Sequence, residues 1–469
     1  MLTHPANGDS RLSLWLRVRE FAVPPSMIET ATARRSAGDW AGACAAAGLD
    51  VDLHPRSVAR THGRDLAARL RADLRHLAPD LLRWHLPRIA PDGLLRPGLT
   101  ISLARYDTTR YDTTGRDGPH PVHLVVRTPP AWADAGQRFS LALWDGPGAD
   151  SGRHPHPRPD RRFRLDLHRH LWDVRRAGEL RTRSGAERPP GNSPALDPDS
   201  LKAVPQGYRC AVDRWAAEAA ILLRADERRG RAVTVRLGAR HRLRLDLDGD
   251  GDAAGPHSAR ITPAATDGTA AELPVLPDAA TWLLPDLELL RAGALTAGQL
   301  HPLVASALAP GHAPATAPRV PDPPGRPRVV DCRGARHRIG LVDGVLAPLD
   351  HDPDEIRREE LLVALTGTPL PCLQAIDAAH RQPDCLTGVR ERLVHGDIAG
   401  ALAVVEGLLG PDAVLRDGAL RDALETAARR RITYGLFRAG LAGPGPARRT
   451  LGPDRNRDHR AHPRHATFD

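Results

Sequence analysis

Carboxylates recur at every second position in Asp246-Leu-Asp248-Gly-Asp250-Gly251. Alternating acids followed by a glycine for a sharp turn are what the first half of a calcium loop requires. The twelfth position, where such a loop closes on an acid, is His257, and a strand pattern rather than a helix precedes it. An acidic hairpin turn is the competing reading. A second array is imidazole-based: His154-x-His156 and His168-x-His170, with Asp166 and Asp173 close by. Alternate residues share one face of a strand, so either pair could offer two nitrogens to zinc or iron. The arginines around both pairs oppose a cation. Asp246, Asp248, Asp250, His168 and His170 are therefore the candidate metal ligands, and no residue is assigned as catalytic or cofactor-binding. Cys372, His380, Cys385 and His395 are also zinc-type donors, but their spacings match no compact zinc module.

Other chemistries leave less trace. The chain has no nucleophile elbow, no HExxH and no Walker loop. Val394-His395-Gly396-Asp397 resembles the His-Gly-Asp catalytic loop of aminoglycoside-phosphotransferase-like kinases. That resemblance implies Asp397 as base and an Asn five residues on for magnesium. The fifth position here is Leu402, and the sole lysine, Lys202, lies in a Pro-flanked segment instead of following a Gly-rich loop. A simpler reading comes from a near-copy. Residues 38–45 read Gly-Asp-Trp-Ala-Gly-Ala-Cys-Ala, and residues 396–403 read Gly-Asp-Ile-Ala-Gly-Ala-Leu-Ala. In both, the first glycine can end a helix in the left-handed conformation and the aspartate can cap the next one. Each turn resembles one unit of a tetratricopeptide-type helical hairpin. No 34-residue period links them, so a continuous solenoid is not implied.

The net charge of +9 invites a nucleic-acid reading. However, Lys202 is the only lysine among 66 basic residues, and 57 acids are interspersed with the arginines. Such a surface is mostly solvated or locally paired. With the abundant Ala, Gly and Pro, it is the composition of a very GC-rich coding sequence. The chain resembles uncharacterised proteins of GC-rich actinobacteria, a resemblance that implies no activity. Five cysteines, an odd number with no CxxC pair, fit a reducing cytoplasm. No signal peptide or membrane-spanning run is evident.

The elements that must position these residues follow from periodicity. Leu12, Leu14, Leu16 and Val18 alternate, which predicts a short strand. Helical patterns follow to about Pro87, including one long helix over 57–77. The period then changes: Leu99–Leu103, Val122–Val126 and Phe139–Trp144 read as strands. A tandem duplication, Arg105-Tyr-Asp-Thr-Thr and Arg110-Tyr-Asp-Thr-Thr, falls in the intervening loop and reads as a tolerated insertion. Residues 163–174 read as a strand or short helix, 209–226 as an amphipathic helix, and Val233–Leu237 with His241–Leu247 as a hairpin. Ala259–Thr262 adds a strand, and helices are expected over 285–292 and 296–308. Beyond the linker a hairpin around Arg333-Gly-Ala-Arg precedes a helical array.

The expected fold is α+β. An N-terminal helical subdomain (1–92) leads to a β-rich middle with helices (93–308), with loops at 147–162 and 181–200. A Pro-rich linker (309–327) precedes a C-terminal hairpin plus helical array (328–442) and a disordered, Arg/His-rich tail (443–469). With no catalytic constellation, the favoured function is a non-catalytic protein-interaction or scaffold protein of the cytoplasm, binding other proteins without a cofactor. Two alternatives stand beside it. One is a metal-dependent enzyme with a site in the β-rich middle. The other is a nucleic-acid-associated regulator making weak phosphate contacts through the tail.

Overall fold

The computed structural model describes residues 8–107, 121–134, 136–146, 154–187, 202–228, 230–238, 241–248, 259–264, 273–311, 328–343, 345–366, 369–383, 385–410 and 414–443. Asp250, the second copy of the tandem pentapeptide, linker residues 312–327 and tail residues 444–469 lie outside that set. The fold is α+β. Its described residues divide into two compact units, one from 8–133 and 137–311, the other from 328–442.

The first unit opens on a helix where a strand was expected. Gly8–Arg17 is α-helical and runs into a π-helical turn, Val18–Ala22. The reason lies in the wider pattern: Leu14, Trp15, Val18 and Ala22 fall along one helical face and are buried, while Leu16 remains exposed. The helix expected over 57–77 is two, Pro55–His62 and Arg64–His76, divided at Gly63 with φ of 89°. Leu66, Leu70 and Leu74 are buried, as their spacing predicts.

The two Gly-Asp turns share one geometry. In the first unit the turn joins helices Pro25–Ser36 and Trp40–Ala46; in the second it joins Leu386–His395 and Ile398–Leu409. Gly38 and Gly396 take φ of 78° and 88°. The Asp39 carboxylate accepts from Gly42 N at 2.8 Å, and Asp397 from Gly400 N at 2.9 Å. The aspartate amides donate to the Arg34 and Arg392 carbonyls, and the same two arginines pair with the two carboxylates. A Cβ on Gly42 or Gly400 would overlap the capping carboxylate. The shared residues are thus a helix stop, a cap and the space the cap needs. Asp39→Ala or Asp397→Ala should cost about 0.5–2 kcal/mol in thermal or urea denaturation. Gly42→Ala and Gly400→Ala should also destabilise, although alanine is the better helix former. A stabilised alanine variant would mean the carboxylate does not cap.

The strands of the first unit are β1 (Leu49–Val51), the short pair β2 (Arg88–Ile89) and β3 (Leu94–Leu95), then β4 (Thr100–Tyr106), β5 (Val122–Arg127) and β6 (Phe139–Trp144). They form a sheet in the order β1-β6-β5-β4, with β1 parallel to β6 and the rest antiparallel; β2 and β3 pair separately. One core covers this sheet. It includes Leu14, Trp15, Leu70, Leu81, Ile101, Phe139, Trp172, Leu289 and Val304, residues from both sides of position 92.

A second core in the same unit packs helix Val212–Ala225 on β7 (Ala232–Leu237), β8 (His241–Leu247) and β9 (Ala259–Pro263), through Trp215, Val233, Val235, Leu245 and Trp282. Residues 163–174 contribute 3-10 turns, Arg169–Leu171 and the start of Val174–Glu179. The last helix of the unit begins at Pro302, since proline lacks the amide that the interior of a helix would need.

The second unit starts with an antiparallel sheet of β10 (Arg328–Cys332), β11 (Ala335–Val342) and β12 (Val345–Pro348). Arg333 and Gly334, both at positive φ, make the tight β10–β11 turn. Helices Pro353–Thr366, Pro371–Arg381, Leu386–His395, Ile398–Leu409 and Ala419–Ala439 follow. Its cores are small. One comprises Cys332, Ile339, Leu370, Cys372 and Ile376; the other centres on Val389, Leu393, Ala401, Leu409 and Leu420. Among the described residues, no helix is long and apolar enough to cross a membrane.

Candidate functional site

The second unit brings together two thiols and an imidazole. Cys332 ends β10, His351 follows β12, and Cys372 is the second residue of helix Pro371–Arg381. One ligand atom from each lies within 4.8 Å of the other two. Both cysteines are fully buried, and the His351 side chain is 3% exposed. The imidazole is held from two sides. Its Nδ1 meets the Glu355 carboxylate at 3.2 Å, and its ring stacks on His337 with centroids 4.1 Å apart. His351 Nε2 and His337 Nδ1 are buried and have no hydrogen-bond partner among the described residues. Beside the group, the Arg338 side chain and amide hold the Asp350 carboxyl down to about 2. Burial pushes the Cys372 thiol up to about 11, helped by its hydrogen bond to Cys332 and by the Asp350 carboxylate.

Sequence reasoning named Cys372 but gave it other companions. His380, Cys385 and His395 are not in this group; the fold selects Cys332 and His351, which are 40 and 21 positions away along the chain. The available signal was Cys332 at a hairpin end and His351 just before a helix with an acidic first turn.

The other candidates sit elsewhere. His168 is 2% exposed and both its ring nitrogens are engaged, Nδ1 with the Arg164 carbonyl and Nε2 with Glu218 at 3.1 Å. His170 lies beside it, ring centroids 5.8 Å apart. His154 contacts the Thr128 carbonyl and the His156 amide. Asp166 pairs with Arg164, and Asp173 with Arg169 and Arg175. Asp246 lies in β8, its carboxylate bound by Arg244 two residues earlier; Asp248 follows the strand, and Asp250 is outside the described residues. Asp397 is occupied by its cap and by Arg392, the arrangement of Asp39 rather than of a base awaiting a substrate.

Two further clusters have chemical potential. Ser102 Oγ lies 2.9 Å from His123 Nδ1 across β4 and β5, a nucleophile–base pair in type. Ser102 is 0% exposed, so a substrate has no access to it. In the other cluster, His301 Nε2 lies 2.9 Å from Asp80, and Trp84 donates to Asp286 at 2.8 Å, with His85 beside it. Burial pushes the Asp286 carboxyl up.

Buried histidines make the first unit acid-sensitive. Burial holds the His85 and His170 rings well below the ordinary 6.5, and the charges of Arg183 and His168 add to this at His170. Both rings stay neutral in the folded chain. The unfolded chain takes up protons below about pH 6.5, so it binds more of them and stability falls as pH drops. Each ring contributes a slope of up to about 1.4 kcal/mol per pH unit below that point. Urea midpoints should therefore decline between pH 7 and pH 5, and His170→Gln should flatten the decline.

Compared with protein-family models, curated proteins and solved structures, the chain gave no match.

Proposed function

We propose that this is a non-catalytic protein-interaction protein whose second unit receives the partner. The observation that carries this reading is the distribution of exposed apolar side chains. In the second unit Leu361, Val414, Ile432 and Leu441 are 68%, 86%, 64% and 77% exposed. In the first unit the exposed large apolar side chains among the described residues are Leu16 and Trp132, at 36% and 40%. Large apolar surface left to water in one module is the mark of a binding surface.

Helix Ala419–Ala439 carries the clearest patch. Ile432 and Leu436 are four residues apart, so they share one face. Arg429, three residues before Ile432, and Arg431 are exposed along its edges. An apolar pair edged by guanidinium groups fits an amphipathic helix of another protein with carboxylates along its rim. The test is co-purification from the cells that make the protein, followed by the Ile432→Asp, Leu436→Asp double variant. The expected result is a stoichiometric acidic partner that the variant no longer retains, at unchanged melting temperature. A wild-type chain that purifies alone, or that buries this face against a second copy of itself, would overturn the reading.

A further inference from the structure

We propose that Cys332, Cys372 and His351 bind a single zinc ion that ties the β10–β12 sheet to helix Pro371–Arg381. The donors are two sulfurs and one imidazole nitrogen, the soft and borderline set that selects zinc over calcium or magnesium. Neighbouring ligand atoms of a tetrahedral zinc stand about 3.3–3.8 Å apart, given bonds of 2.0–2.3 Å. The three atoms here already lie within 4.8 Å of one another, so small side-chain rotations close the shell. Binding forms two Zn–S bonds and one Zn–N bond. The two thiol protons leave to solvent, and the neutral imidazole gives its Nε2 lone pair. The fourth position is left to water.

Two observations independent of the cysteines point the same way. His351 Nε2 is a buried polar atom with no hydrogen-bond partner among the described residues, on a side chain 3% exposed. Leaving such an atom unpaired costs about 1–3 kcal/mol, and a metal bond removes that cost. The opposite ring nitrogen meets Glu355, the carboxylate–histidine arrangement that fixes the tautomer and aims the other nitrogen at a metal. The ion also has structural work to do. The core around it consists of Cys332, Ile339, Leu370, Cys372 and Ile376, and a core this small gains from a cross-link. The three ligands come from a strand end, a loop and a helix start, so one ion joins three parts of the unit that sequence separates.

The test uses the full chain, expressed with zinc and lysed without oxygen. Elemental analysis should find about one zinc per chain. Cobalt exchanged into the protein should give a thiolate-to-metal charge-transfer band. The Cys332→Ser, Cys372→Ser double variant should lose both signals, and His168→Ala with His170→Ala should keep both. Because the serine variant could unfold, Glu355→Gln supplies a second arm. It touches no metal and should keep the fold while weakening zinc retention against a competing chelator about 10–100-fold. Chelation of wild-type chain should lower the melting temperature of the second unit and leave that of the first unchanged. Substoichiometric zinc in the wild type, retention of zinc by the serine variant, unchanged zinc affinity in Glu355→Gln, or a Cys332–Cys372 disulfide found by mass mapping would each overturn the proposal.

Discussion

Glu218→Gln should lower the unfolding free energy of the first unit by about 3–5 kcal/mol, a drop of roughly 6–20 °C in melting temperature. Glu218 sits on helix Val212–Ala225 with its side chain 3% exposed. Arg183 reaches it with two nitrogens, each at 2.6 Å, Arg214 approaches at 3.1 Å, and His168 Nε2 at 3.1 Å. Burial alone pushes the Glu218 carboxyl up, but the hydrogen bonds and charges of His168 and Arg183 outweigh it and hold the carboxyl below the usual range. Its contribution is therefore present above the unfolded carboxyl's value and is lost as pH falls toward the depressed one. Glutamine keeps the volume and removes the charge, leaving two guanidinium groups in the interior with no counter-charge from this site. A control comes from the surface. Asp246→Asn breaks an exposed pair with Arg244 and should cost less than about 1 kcal/mol. Equal losses at the two positions would mean that the buried cluster is no stronger than a surface pair.

Arg83→Met should cost a similar amount, about 3–5 kcal/mol, for a different reason. Arg83 is 2% exposed, and its guanidinium donates to backbone carbonyls. Nε reaches Ala22 at 2.8 Å, and one terminal nitrogen reaches Gln137 at 2.7 Å and Ala47 at 3.3 Å. These acceptors come from three segments: the end of the π-helical turn, the end of helix Trp40–Ala46 and the approach to β6. The planar head also lies over the Phe139 ring, 5.7 Å from its centroid. Hydrogen bonds from a charged donor contribute about 1.5–3 kcal/mol each, and their loss leaves the carbonyls buried without that donor. Arg83→Lys discriminates. A single ammonium cannot span the three carbonyls that the fork reaches, so lysine should recover little of the loss. Recovery of most of the stability by lysine would show that charge rather than geometry holds these segments.

Both predictions rest on residues that pattern alone partly reveals. The 3.6-residue period that buries Trp215, Ala219 and Leu222 also places Glu218 on the inner face, and an acid on an apolar face signals a buried pair. Its partners Arg183 and His168 come from a five-residue helix and the start of a 3-10 turn, 35 and 50 residues away, which no periodicity connects. The same division runs through the fold. Strands β4 to β9 were legible because β-branched and apolar residues alternate within short runs bounded by turn residues. β1 was not, because three residues cannot establish a period. β12 was not, because Val345-Leu-Ala-Pro shows no alternation and ends in proline. The Gly-Asp turns were legible to the level of the capping atom, since a cap is set within four residues. The Cys332, His351 and Cys372 group was not, because its members meet only once a hairpin, a loop and a helix have packed.

The parallel pairing of β1 with β6 bears on synthesis. Leu49 faces Phe139, so β1 gains its sheet partner only after 90 further residues have been made. The same core includes Leu289 and Val304 alongside Leu14. During translation, the side of helix Gly8–Arg17 that packs on helix Pro285–Arg291 therefore stays uncovered until that later helix has been made. Contacts this distant close slowly, and nascent surface of this kind is what chaperones hold. This core of the first unit is therefore complete only when residues 289–307 have been made.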